Sequence, residues 1–422
     1  MTKPSGTGVN GAIVEGKVDR RLYVEQDVFD SEVESLWRTT WICIGHESEV
    51  PDGLAYRTMV VIGEPLLMVR GADDTVRVFY NSCPHRANVV CHEPEGSSRH
   101  LRCAYHGWTF DHDGQLVGLP SPDAYEDGGE RFRTDGLSEV TSAERAGFIF
   151  IRFGDAGESL DDHLGSAGVL LDRAVEVSPT HKVSLQAGWN RQHLATNWKQ
   201  VFENQLDGYH VPFTHRSLLS GGKGPRGDAV SYGRQTLVRS VALGRGHAEI
   251  DFRPSYRDKD GLFAWFGGAK EESLGEYVSD MRDALGEERA NEVLVDGPPH
   301  AMVFPNLFLA EMNVYIILPV SAGSTTVMMT PMTVEGYPEL NRRAVHRANG
   351  ALGSAGLYLA DDAEMGERNQ LGLSASKPRW LDTSRGLHTE TVDGDYREGH
   401  MEDDVASREF WREYARLMGV EL

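Results

Sequence analysis

Two short cysteine–histidine pairs constrain this chain more than any other feature of its sequence. The first pair lies in Cys83-Pro84-His85 and the second in Cys103-Ala104-Tyr105-His106. Thiolate and imidazole are both good ligands for transition metals. We therefore expect two loops, separated by a hairpin's length of chain, that the fold brings together around one metal centre.

Two kinds of metal centre use two cysteines and two histidines. One is a tetrahedral structural zinc site. The other is a Rieske [2Fe–2S] cluster, in which two histidines replace two cysteines on one iron and raise the reduction potential. A C-x-H pair is unusual for a zinc finger, and the residues that follow the pairs, Arg86 and Gly107-Trp108, are specific. The pattern favours the Rieske cluster. Its expected ligands are Cys83, His85, Cys103 and His106.

The composition indicates a globular protein and excludes several partners. At 422 residues the chain is long enough for two or three domains. Its content of 40% hydrophobic and 25% charged residues is ordinary for globular proteins. The formal net charge of −22 argues against a nucleic-acid or anionic-membrane partner. No apolar run approaches the length of a membrane span.

The N-terminus and the cysteine content indicate a compartment. Residues 1–8 lack the apolar core of a secretory signal and are predicted to be a disordered lead-in. Four cysteines in a chain of this length do not make a disulfide framework. Two are assigned to the cluster, and Cys43 and Cys91 are predicted to be packing residues. We therefore expect a cytoplasmic protein.

Strand and turn signals divide the chain into three segments. Residues 1–40 are predicted to be a tail and a lead-in helix, residues 41–155 a small antiparallel β domain, and residues 156–422 a larger domain. The small domain carries both ligand pairs near the ends of hairpins. The predicted hairpins are Leu66–Arg70 with Val76–Phe79, and Trp108–Phe110 with Gln115–Val117.

The larger domain is predicted to be α+β, with an antiparallel sheet flanked by helices. Apolar residues in Asn197–His210 recur with a period of 3.6 residues, which predicts a helix, and Pro212 prevents its continuation. The other predicted elements are a charged amphipathic helix over Glu271–Val295, long strands over Asn306–Pro319 and Thr325–Val334, a helical stretch over Leu340–Leu371, and a C-terminal helix that docks through Phe410, Trp411, Tyr414, Leu417 and Met418.

A second set of metal-ligand residues lies in and just after the helix predicted at 197–210. Asp207 and His210 are three residues apart and would share one helix face. The chain then turns and can bring His215 back towards His210. Two imidazoles and one carboxylate form the facial triad of non-haem Fe(II) oxygenases. The carboxylate is Asp207 or one of the pair Asp361-Asp362, and spacing alone does not choose between them.

Taken together, these motifs resemble a known family. The matching stretches are Cys83-Pro84-His85-Arg86, Cys103 with His106 and Trp108, Asn197-Trp198-Lys199, Glu203-Asn204 with Asp207, Tyr209, His210 and His215, and Asp362 with Gln370. The chain resembles the large (α) subunit of Rieske non-haem iron ring-hydroxylating oxygenases of the terephthalate, salicylate and benzoate type, over Val24 to Gly419. One position departs from the family pattern: Ala87 stands where glycine is usual and stiffens the first cluster loop.

The resemblance implies a fold and two cofactors. The fold is a Rieske [2Fe–2S] domain, with a lead-in segment packed on a helix-grip catalytic domain of the SRPBCC/START-like type. The second cofactor is a mononuclear Fe(II). Its implied ligands are His210, His215 and Asp362, with Asp361 as the alternative carboxylate.

The resemblance also gives Asp207 a catalytic role as a bridge between subunits. Asp207 would connect a Rieske histidine of one subunit, His106 or else His85, to an iron-binding histidine of the next. A carboxylate shared by two imidazoles makes charge-assisted hydrogen bonds to both. The implied assembly is a head-to-tail homotrimer, either α3 or α3β3 with a small β subunit.

The implied activity is that of the terminal oxygenase component of a multicomponent aromatic ring-hydroxylating dioxygenase. A reductase, directly or through a ferredoxin, would pass electrons from NAD(P)H, and O2 would hydroxylate an aromatic substrate to a cis-dihydrodiol or a phenol. The alternatives are an α-only Rieske monooxygenase or demethylase and, from another class, an iron–sulfur electron-transfer or zinc protein. The candidates for a patch that docks an acidic electron carrier, unless they are simply solvated, are Arg86, Arg99, His100 and Arg102.

The predicted strand Asn306–Pro319 is the sequence's clue to the substrate. Alternation places Phe308 and Ala310 on one face and Asn313 and Tyr315 on the other. The strand contains no Arg or Lys that would bind a carboxylate. We therefore expect a neutral or amine-bearing aromatic substrate, with Asn313 and Tyr315 as polar contacts. The alternative is that this polar face meets another subunit or water.

Overall fold

The computed structural model describes residues 9–133, 136–154, 156–216, 234–259, 261–353 and 356–421. The lead-in predicted to be disordered, residues 1–8, lies outside these ranges. The chain forms two compact units. The small unit is Cys43–Gly157, and the large unit combines the described residues before it with those after it. None of the described helices is both long enough and apolar enough to cross a membrane.

The N-terminal part of the large unit contains two short strands and two short helices. They are β1 (Ile13–Val14), β2 (Lys17–Asp19), α1 (Arg21–Val24) and α2 (Gln26–Glu32), followed by a π-helical turn at Val33–Trp37. β2 pairs with a strand near the other end of the chain, Trp380–Asp382. This pairing ties the N-terminal segment to the large unit.

The small unit is built from antiparallel strands. Its elements are β3 (Ile42–His46), β4 (Ala55–Val61), β5 (Glu64–Arg70), β6 (Val76–Tyr80), β7 (Glu95–Ser97), β8 (Leu101–Arg102), β9 (Thr109–Phe110), β10 (Leu116–Gly118), α3 (Glu130–Arg133), β11 (Thr141–Arg145) and β12 (Phe148–Arg152). The strand orders are β6-β5-β4-β7, β10-β9-β8 and β11-β12-β3. Both predicted hairpins are confirmed, since β5 pairs with β6 and β9 with β10.

The large unit is an antiparallel sheet with helices packed against it. Its remaining elements are α4 (Leu160–Leu164), α5 (Gly168–Val175), β13 (Asn190–Leu194), α6 (Trp198–Gln205), α7 (Val211–Thr214), β14 (Arg239–Ala242), β15 (Ala248–Asp251), α8 (Arg253–Arg257), α9 (Gly275–Leu285), α10 (Glu287–Asp296), β16 (His300–Val303), β17 (Leu307–Ala310), β18 (Asn313–Ser321), β19 (Ser324–Pro331), α11 (Pro338–Arg347), α12 (Leu357–Leu373), β20 (Trp380–Asp382), β21 (Thr391–Asp393), β22 (Tyr396–His400) and α13 (Val405–Met418). The sheet order is β13-β19-β18-β17-β16-β15-β14-β22-β21. Helix α6 packs on β18 and α13 on β14. The predicted α+β fold class is confirmed.

Two predicted helices are shorter than expected. The helix predicted over Asn197–His210 ends at Gln205 as α6, and the residues after it form a bend. The single helix predicted over Glu271–Val295 is two helices, α9 and α10. They are separated by Gly286, whose φ of +80° no helix can continue.

The strand predicted over Asn306–Pro319 is a hairpin made of β17 and β18. Glu311 lies in its turn with a φ of +56°, outside the extended region. The turn reverses the chain, so Phe308 lies directly opposite Tyr315. Opposed residues of an antiparallel pair share a face of the sheet. The prediction that Phe308 and Tyr315 occupy opposite faces is therefore wrong.

A buried ion pair joins three helices of the large unit. Lys199 Nζ of α6 lies 2.5 Å from Glu32 Oε1 of α2, and neither side chain is exposed. Tyr414 OH of α13 and Trp198 Nε1 donate hydrogen bonds to the same carboxylate at 2.6 and 2.9 Å. Burial lowers the pKa of Lys199, and the charge of Glu32 opposes this. Trp198 and Lys199 therefore hold α6 against α2 and α13.

Removing the lysine from this pair should strongly destabilise the large unit. Lys199→Met leaves the Glu32 carboxylate buried without its cation, which costs about 3–5 kcal/mol of unfolding free energy. Arg342→Met is the matched control, because Arg342 pairs with Glu339 at the surface and exposed pairs contribute about 1 kcal/mol or less. Urea unfolding followed by tryptophan fluorescence measures both variants. Equal losses of unfolding free energy in the two variants would show that the buried pair contributes no more than the exposed one.

Candidate functional site

The two cluster loops of the small unit bury their cysteines. Cys83 and Cys103 are each 2% exposed. In the second loop, Cys103 N donates to Trp108 O at 2.8 Å and Gly107 N donates to Cys103 O at 3.0 Å. In the first loop, Cys83 N donates to Asn88 O at 2.9 Å. The same kind of tight turn therefore surrounds each cysteine.

Ala87 occupies in the first loop the position that Gly107 occupies in the second. Ala87 N donates to Cys83 O at 2.8 Å, and the φ of Ala87 is +55°. A left-handed conformation costs about 1–2 kcal/mol for an L-residue with a side chain. This cost explains why the family that the sequence resembles usually has glycine here.

The two candidate imidazoles lie nearer to the surface than the thiols. His106 is exposed and His85 is half-buried, and their ring centroids are 4.6 Å apart. The His85 ring stacks on Trp108 with centroids 4.9 Å apart and planes only 2° from parallel, which orients it. His85 Nδ1 is buried and makes no hydrogen bond within the described ranges. A buried nitrogen without a donor or acceptor fits a metal ligand.

The backbone prepares one of the two thiols for ionisation. Burial raises the pKa of Cys83 to about 11. Burial also disfavours the charged form of Cys103, but the N–H groups of Tyr105 and His106 outweigh it and hold the pKa of Cys103 below its usual value. Two buried thiols and two more exposed imidazoles form a donor set that would hold a Rieske [2Fe–2S] cluster.

A second candidate site, in the large unit, is built around one helical turn. His210 immediately precedes α7 and His215 immediately follows it. Pro212 lies in the first turn of α7, where no amide donor is needed. The prediction that Asp207 and His210 share a helix face is wrong, because α6 has already ended and the chain bends between them.

Three side-chain atoms meet beside this turn. His210 Nε2 and His215 Nε2 are 3.3 Å apart, and Asp362 Oδ1 of α12 lies 3.4 Å from the first and 3.2 Å from the second. Neighbouring ligands of an octahedral ion with bonds of about 2.1 Å are about 3.0 Å apart, so one ion fits between them. Asp362 Oδ1 is buried and accepts no hydrogen bond from the described residues. These three residues form a candidate metal site.

A second carboxylate lies behind each of these imidazoles. His215 Nδ1 lies 3.4 Å from Asp361 Oδ2, and His210 Nδ1 lies 3.7 Å from Asp207 Oδ2. Carboxylates in this position orient metal-binding histidines and determine which ring nitrogen faces the metal. Asp361 and Asp207 therefore lie on the far side of the imidazoles from Asp362.

The charges around the triad favour a cation. Burial disfavours the charged form of Asp362, but the adjacent imidazoles of His210 and His215 outweigh it and lower the pKa of Asp362 to about 2. Burial likewise disfavours protonation of His210, but Asp207 and Asp362 outweigh it and raise its pKa to about 9. The carboxylates that favour a proton on His210 also favour a metal cation at the same place.

Asp207 lies at the surface of the large unit. About a third of its side chain, 34%, is exposed. Tyr209 N donates to Asp207 Oδ1 at 2.7 Å, and Arg385 Nη2 lies 3.8 Å from the same oxygen. Asp207 lines a concavity of about 710 Å³ that also contains acidic side chains. These are Glu203, Asp382, Asp403 and Asp404, and three arginines line the same concavity, namely Arg20, Arg368 and Arg385.

A second cavity, of about 410 Å³, opens onto the three triad residues. Its apolar and aromatic lining includes Ile250, Phe252, Leu262, Phe308, Ala310 and Tyr358. Of the two candidate substrate contacts, Tyr315 lines the cavity, and its hydroxyl donates to Leu352 O at 2.8 Å. Asn313 is 1% exposed and donates to Ala310 O at 3.3 Å within the hairpin. The structure thus brings Tyr315, but not Asn313, to the cavity.

Glu311 and Arg347 form an ion pair in the wall of this cavity. Neither residue is predicted from the sequence as a cavity contact, because Arg347 comes from α11 and Glu311 was expected to continue a strand. The strand itself has no basic residue, as predicted, but a distant helix supplies one. An isolated arginine in a helix carries no sequence signal for such a role.

Two family models match this chain. The Rieske [2Fe-2S] domain matches residues 40–135, and the ring hydroxylating alpha subunit (catalytic domain) matches residues 178–420. The first match decides between the two cofactors considered for the small unit in favour of the Rieske cluster. The second covers more than half of the chain.

Individual relatives and a solved structure agree with these matches. The large subunit of anthranilate 1,2-dioxygenase from Acinetobacter baylyi is 28% identical over 398 residues, 88% of this chain and 80% of that protein. The alpha subunit of N,N-dimethyl phenylurea N-demethylase from Sphingobium sp. is 27% identical over 85% of this chain and 80% of that protein. A structure of naphthalene 1,2-dioxygenase with indole bound has the same fold, with a TM-score of 0.79 at 22% identity, covering 95% of this chain and 92% of the other. This chain therefore belongs to the ring-hydroxylating alpha-subunit family of Rieske oxygenases, and its cofactors are a Rieske [2Fe–2S] cluster and a mononuclear non-haem iron.

Proposed function

We propose that this chain is the terminal oxygenase component of a system that hydroxylates an aromatic ring with O2. The observation that carries this proposal is the position of the triad, two imidazole nitrogens and one carboxylate oxygen that face a largely apolar cavity of about 410 Å³. Three ligands on one face leave the other coordination positions free. The cavity is of a size that holds a small organic molecule.

The proposed iron ligands are His210, His215 and Asp362. Iron held by these residues would supply the reductive activation of dioxygen. The protein's own contribution is to hold the two imidazoles by Asp207 and Asp361 and to surround the substrate with apolar walls. These walls exclude water from the reacting ring.

The proposed substrate is a neutral or amine-bearing aromatic compound. The rings of Phe252, Phe308 and Tyr358 line the cavity and offer faces and edges for an aromatic substrate. The names of the two relatives, anthranilate dioxygenase and dimethyl phenylurea demethylase, both refer to aromatic compounds that carry nitrogen, although anthranilate also carries a carboxylate. Tyr315 is the proposed polar contact, and Asn313 is not, because it is buried within the hairpin.

The proposed electron path enters through the Rieske cluster, whose proposed ligands are Cys83, His85, Cys103 and His106. A reductase, directly or through a ferredoxin, would deliver electrons from NAD(P)H. The exposed His106 is the proposed exit, because it is the cluster ligand most accessible to a partner. The thiols, buried below it, are not accessible.

We further propose that Asp207 receives this electron path from a neighbouring subunit in a head-to-tail trimer. Its partly exposed carboxylate lies behind His210 at the edge of a concavity lined by five acidic side chains and three arginines. The small unit carries exposed basic residues around its cluster loops, and this charge complements the excess of acidic side chains. They are Arg86, Arg99, His100 and Arg102. The trimer would be α3, or α3β3 with a small second subunit.

A second candidate function is that of an α-only Rieske monooxygenase or demethylase. The similarity to the alpha subunit of an N-demethylase supports this second candidate. The metals and their residues would be the same. The difference would lie in the product, a demethylated amine in place of a hydroxylated ring.

Metal content and product analysis test the proposed function together. The purified protein should contain about three irons per chain, two in a cluster with a Rieske EPR signal and one mononuclear. With a surrogate reductase and a panel of aromatic compounds under ¹⁸O2, mass spectrometry should find ring-hydroxylated products that contain ¹⁸O. Demethylated products alone would favour the second candidate. A colourless protein that binds zinc, or one without any oxygenated product, would contradict both.

A further inference from the structure

We infer that Arg385 is a positioning residue for Asp207, because its guanidinium holds the turn at residues 207–209 so that one carboxylate oxygen of Asp207 faces His210. Arg385 belongs to the large unit and lies between β20 and β21. The inference rests on the proposed function, in which Asp207 receives the electron path. It adds the residue that keeps Asp207 in place.

The two oxygens of the Asp207 carboxylate have different neighbours. Oδ1 accepts a hydrogen bond from Tyr209 N at 2.7 Å, and Oδ2 lies 3.7 Å from His210 Nδ1. His210 Nδ1 is buried and makes no hydrogen bond with the described residues. The torsion that turns a carboxylate has no sharply preferred angle. The direction of Oδ2 therefore depends on what holds Oδ1.

Arg385 lies on the Oδ1 side of this carboxylate. Its Nη2 is 3.8 Å from Asp207 Oδ1, which is a contact between charges and too long for a hydrogen bond. Its guanidinium carbon lies over the Tyr209 ring, 3.8 Å from the ring centroid. A guanidinium at such a distance is attracted to the face of the ring. Arg385 thus contacts both residues that form the hydrogen bond from Tyr209 N to Asp207 Oδ1.

The middle residue of the turn is held separately. Gly208 N donates to Met401 O at 3.2 Å. A Cβ atom on Gly208 would lie 2.6 Å from that oxygen, so a residue with a side chain could not approach it in this way. With Gly208 bound to the backbone of Met401 and the Tyr209 ring covered by Arg385, two of the three residues of the turn are fixed from outside it.

Arg385 is itself fixed by Asp404, which immediately precedes α13. Arg385 N and Nη2 donate to the two Asp404 carboxylate oxygens at 3.0 and 2.6 Å, and Asp404 N donates to Arg385 O at 3.0 Å. Arg408 Nη1 donates to the same carbonyl at 2.9 Å. All but one of these bonds use backbone atoms of Arg385. The loop therefore keeps its place when the side chain of Arg385 is changed.

The short bond to Asp404 explains why Arg385 does not draw Asp207 away from His210. An arginine that reached Asp207 at hydrogen-bond distance could bind both carboxylate oxygens side by side. Because Nη2 is bonded to Asp404 instead, it attracts Asp207 Oδ1 only by its charge. The Asp207 carboxylate is thereby oriented, and its Oδ2 stays available to His210.

The other two arginines of the same concavity have different partners. Arg20 Nη1 donates to Leu373 O at 2.6 Å, and Arg368 Nε donates to Glu364 Oε1 at 2.6 Å within α12. Neither is within ion-pair distance of Asp207 in the part of the chain that the structure describes. Arg368 is therefore a matched control, an arginine of the same concavity without a contact to the turn.

Hydrogen exchange measured by mass spectrometry of peptides tests whether Arg385 holds the turn. We expect the amides of residues 207–209 to exchange about threefold to tenfold faster in Arg385→Met than in the wild type, the effect of losing a cation–π contact. Arg368→Met should exchange as the wild type does. The measurement uses the iron-loaded protein and needs no substrate. Unchanged exchange in Arg385→Met would overturn the inference.

A double-variant cycle tests whether Arg385 acts through Asp207. The reduced, iron-loaded proteins are mixed with O2 and the aromatic compound of the panel that the wild type oxygenates fastest, and cluster oxidation is followed. Arg385→Met should slow it about tenfold, and Arg368→Met should not. Added to Asp207→Asn, Arg385→Met should change the rate by less than about twofold. A merely structural role would slow both backgrounds, so equal slowing in both would overturn the inference.

Two further variants separate the charge of Arg385 from the integrity of its loop. Arg385→Lys keeps the charge but not the flat face, so it should recover part of the rate that Arg385→Met loses. The double variant R385M/D404N also removes the carboxylate that Arg385→Met leaves without its cation, and it should be as slow as Arg385→Met. A lysine variant no faster than Arg385→Met, or a double variant at the wild-type rate, would contradict the inference.

The same measurements separate this inference from the proposed function. If Asp207→Asn is slow and Arg385→Met has the wild-type rate, the positioning role is wrong and the proposed bridge stands. If Asp207→Asn has the wild-type rate, the proposed bridge is wrong, and the positioning role is wrong with it. If the wild type oxygenates no aromatic compound, the proposed oxygenation is wrong, and hydrogen exchange alone decides whether Arg385 holds the turn.

Discussion

The variant His210→Ala is expected to lose its mononuclear iron and all product formation while its Rieske signal stays unchanged. His210 Nε2 is one of three donor atoms that lie within 3.4 Å of each other. With two donors left, the site has too few protein ligands to retain iron. The proposed cluster ligands belong to the small unit, which is a separate compact unit of the chain.

Iron analysis and EPR of the same preparation measure this effect. The iron content should fall from about three to about two per chain, and the reduced cluster should keep its Rieske signal. His193→Ala is a matched control, because His193 is an exposed histidine of the large unit that contacts Thr326 at 2.9 Å. It should keep all the iron. Loss of the Rieske signal in His210→Ala would show that the assignment of ligands to the two units is wrong.

The second large effect is expected in Asp207→Asn, which should keep both metals but lose their coupling. Asparagine preserves the size of the side chain and removes the charge behind His210. Partners of this kind change the properties of a metal site about 10- to 100-fold when they are replaced. We therefore expect cluster oxidation in the presence of substrate and O2 to slow by about that factor.

Stopped-flow absorbance of the reduced cluster measures the rate. The matched control is Asp382→Asn, which removes the same charge from the same concavity, where Asp382 accepts hydrogen bonds from Ser384. This control should oxidise its cluster within about twofold of the wild-type rate. Normal coupled turnover in Asp207→Asn would refute its role as the bridge, whatever the oligomeric state.

Much of the candidate site could be predicted from the sequence because most of its proposed ligand residues are close together. Cys83 with His85, and His210 with His215, each fall within a few residues, and the structure brings each pair to one loop or turn. The carboxylate could not be chosen from spacing, because Asp362 comes from a helix far along the chain. The resemblance proposed Asp362, and the distances of 3.2 and 3.4 Å agree with it.

The local errors have a common physical cause. The 3.6-residue period over Asn197–His210 does not reveal that the helix ends at Gln205. Likewise, the alternation over Asn306–Pro319 does not reveal the left-handed turn at Glu311. Apolar patterns report burial, and burial continues through bends and turns when the chain stays inside the same core.

Other motif residues prove to be structural. Asn197 N donates to Gln370 Oε1 at 3.0 Å, which connects α6 to α12, the helix that carries Asp362. Glu203 accepts hydrogen bonds from Tyr23 OH at 2.7 Å and Trp411 Nε1 at 2.8 Å. These contacts tie the chain's first and last helices to the helix that precedes the triad. Some residues of the motif, such as Asn197, Glu203 and Gln370, therefore hold together the helices around the proposed iron site and are not themselves proposed ligands.

We propose that an electron held by the Rieske cluster is used at the site formed by His210, His215 and Asp362. A single turnover tests it most directly. The protein is fully reduced, freed of reductant and mixed with substrate and O2, and cluster oxidation and product are measured together. We expect equal amounts of oxidised cluster and oxygenated product, and a cluster that stays reduced in His210→Ala. Product without cluster oxidation, or equally fast cluster oxidation in His210→Ala, would contradict it.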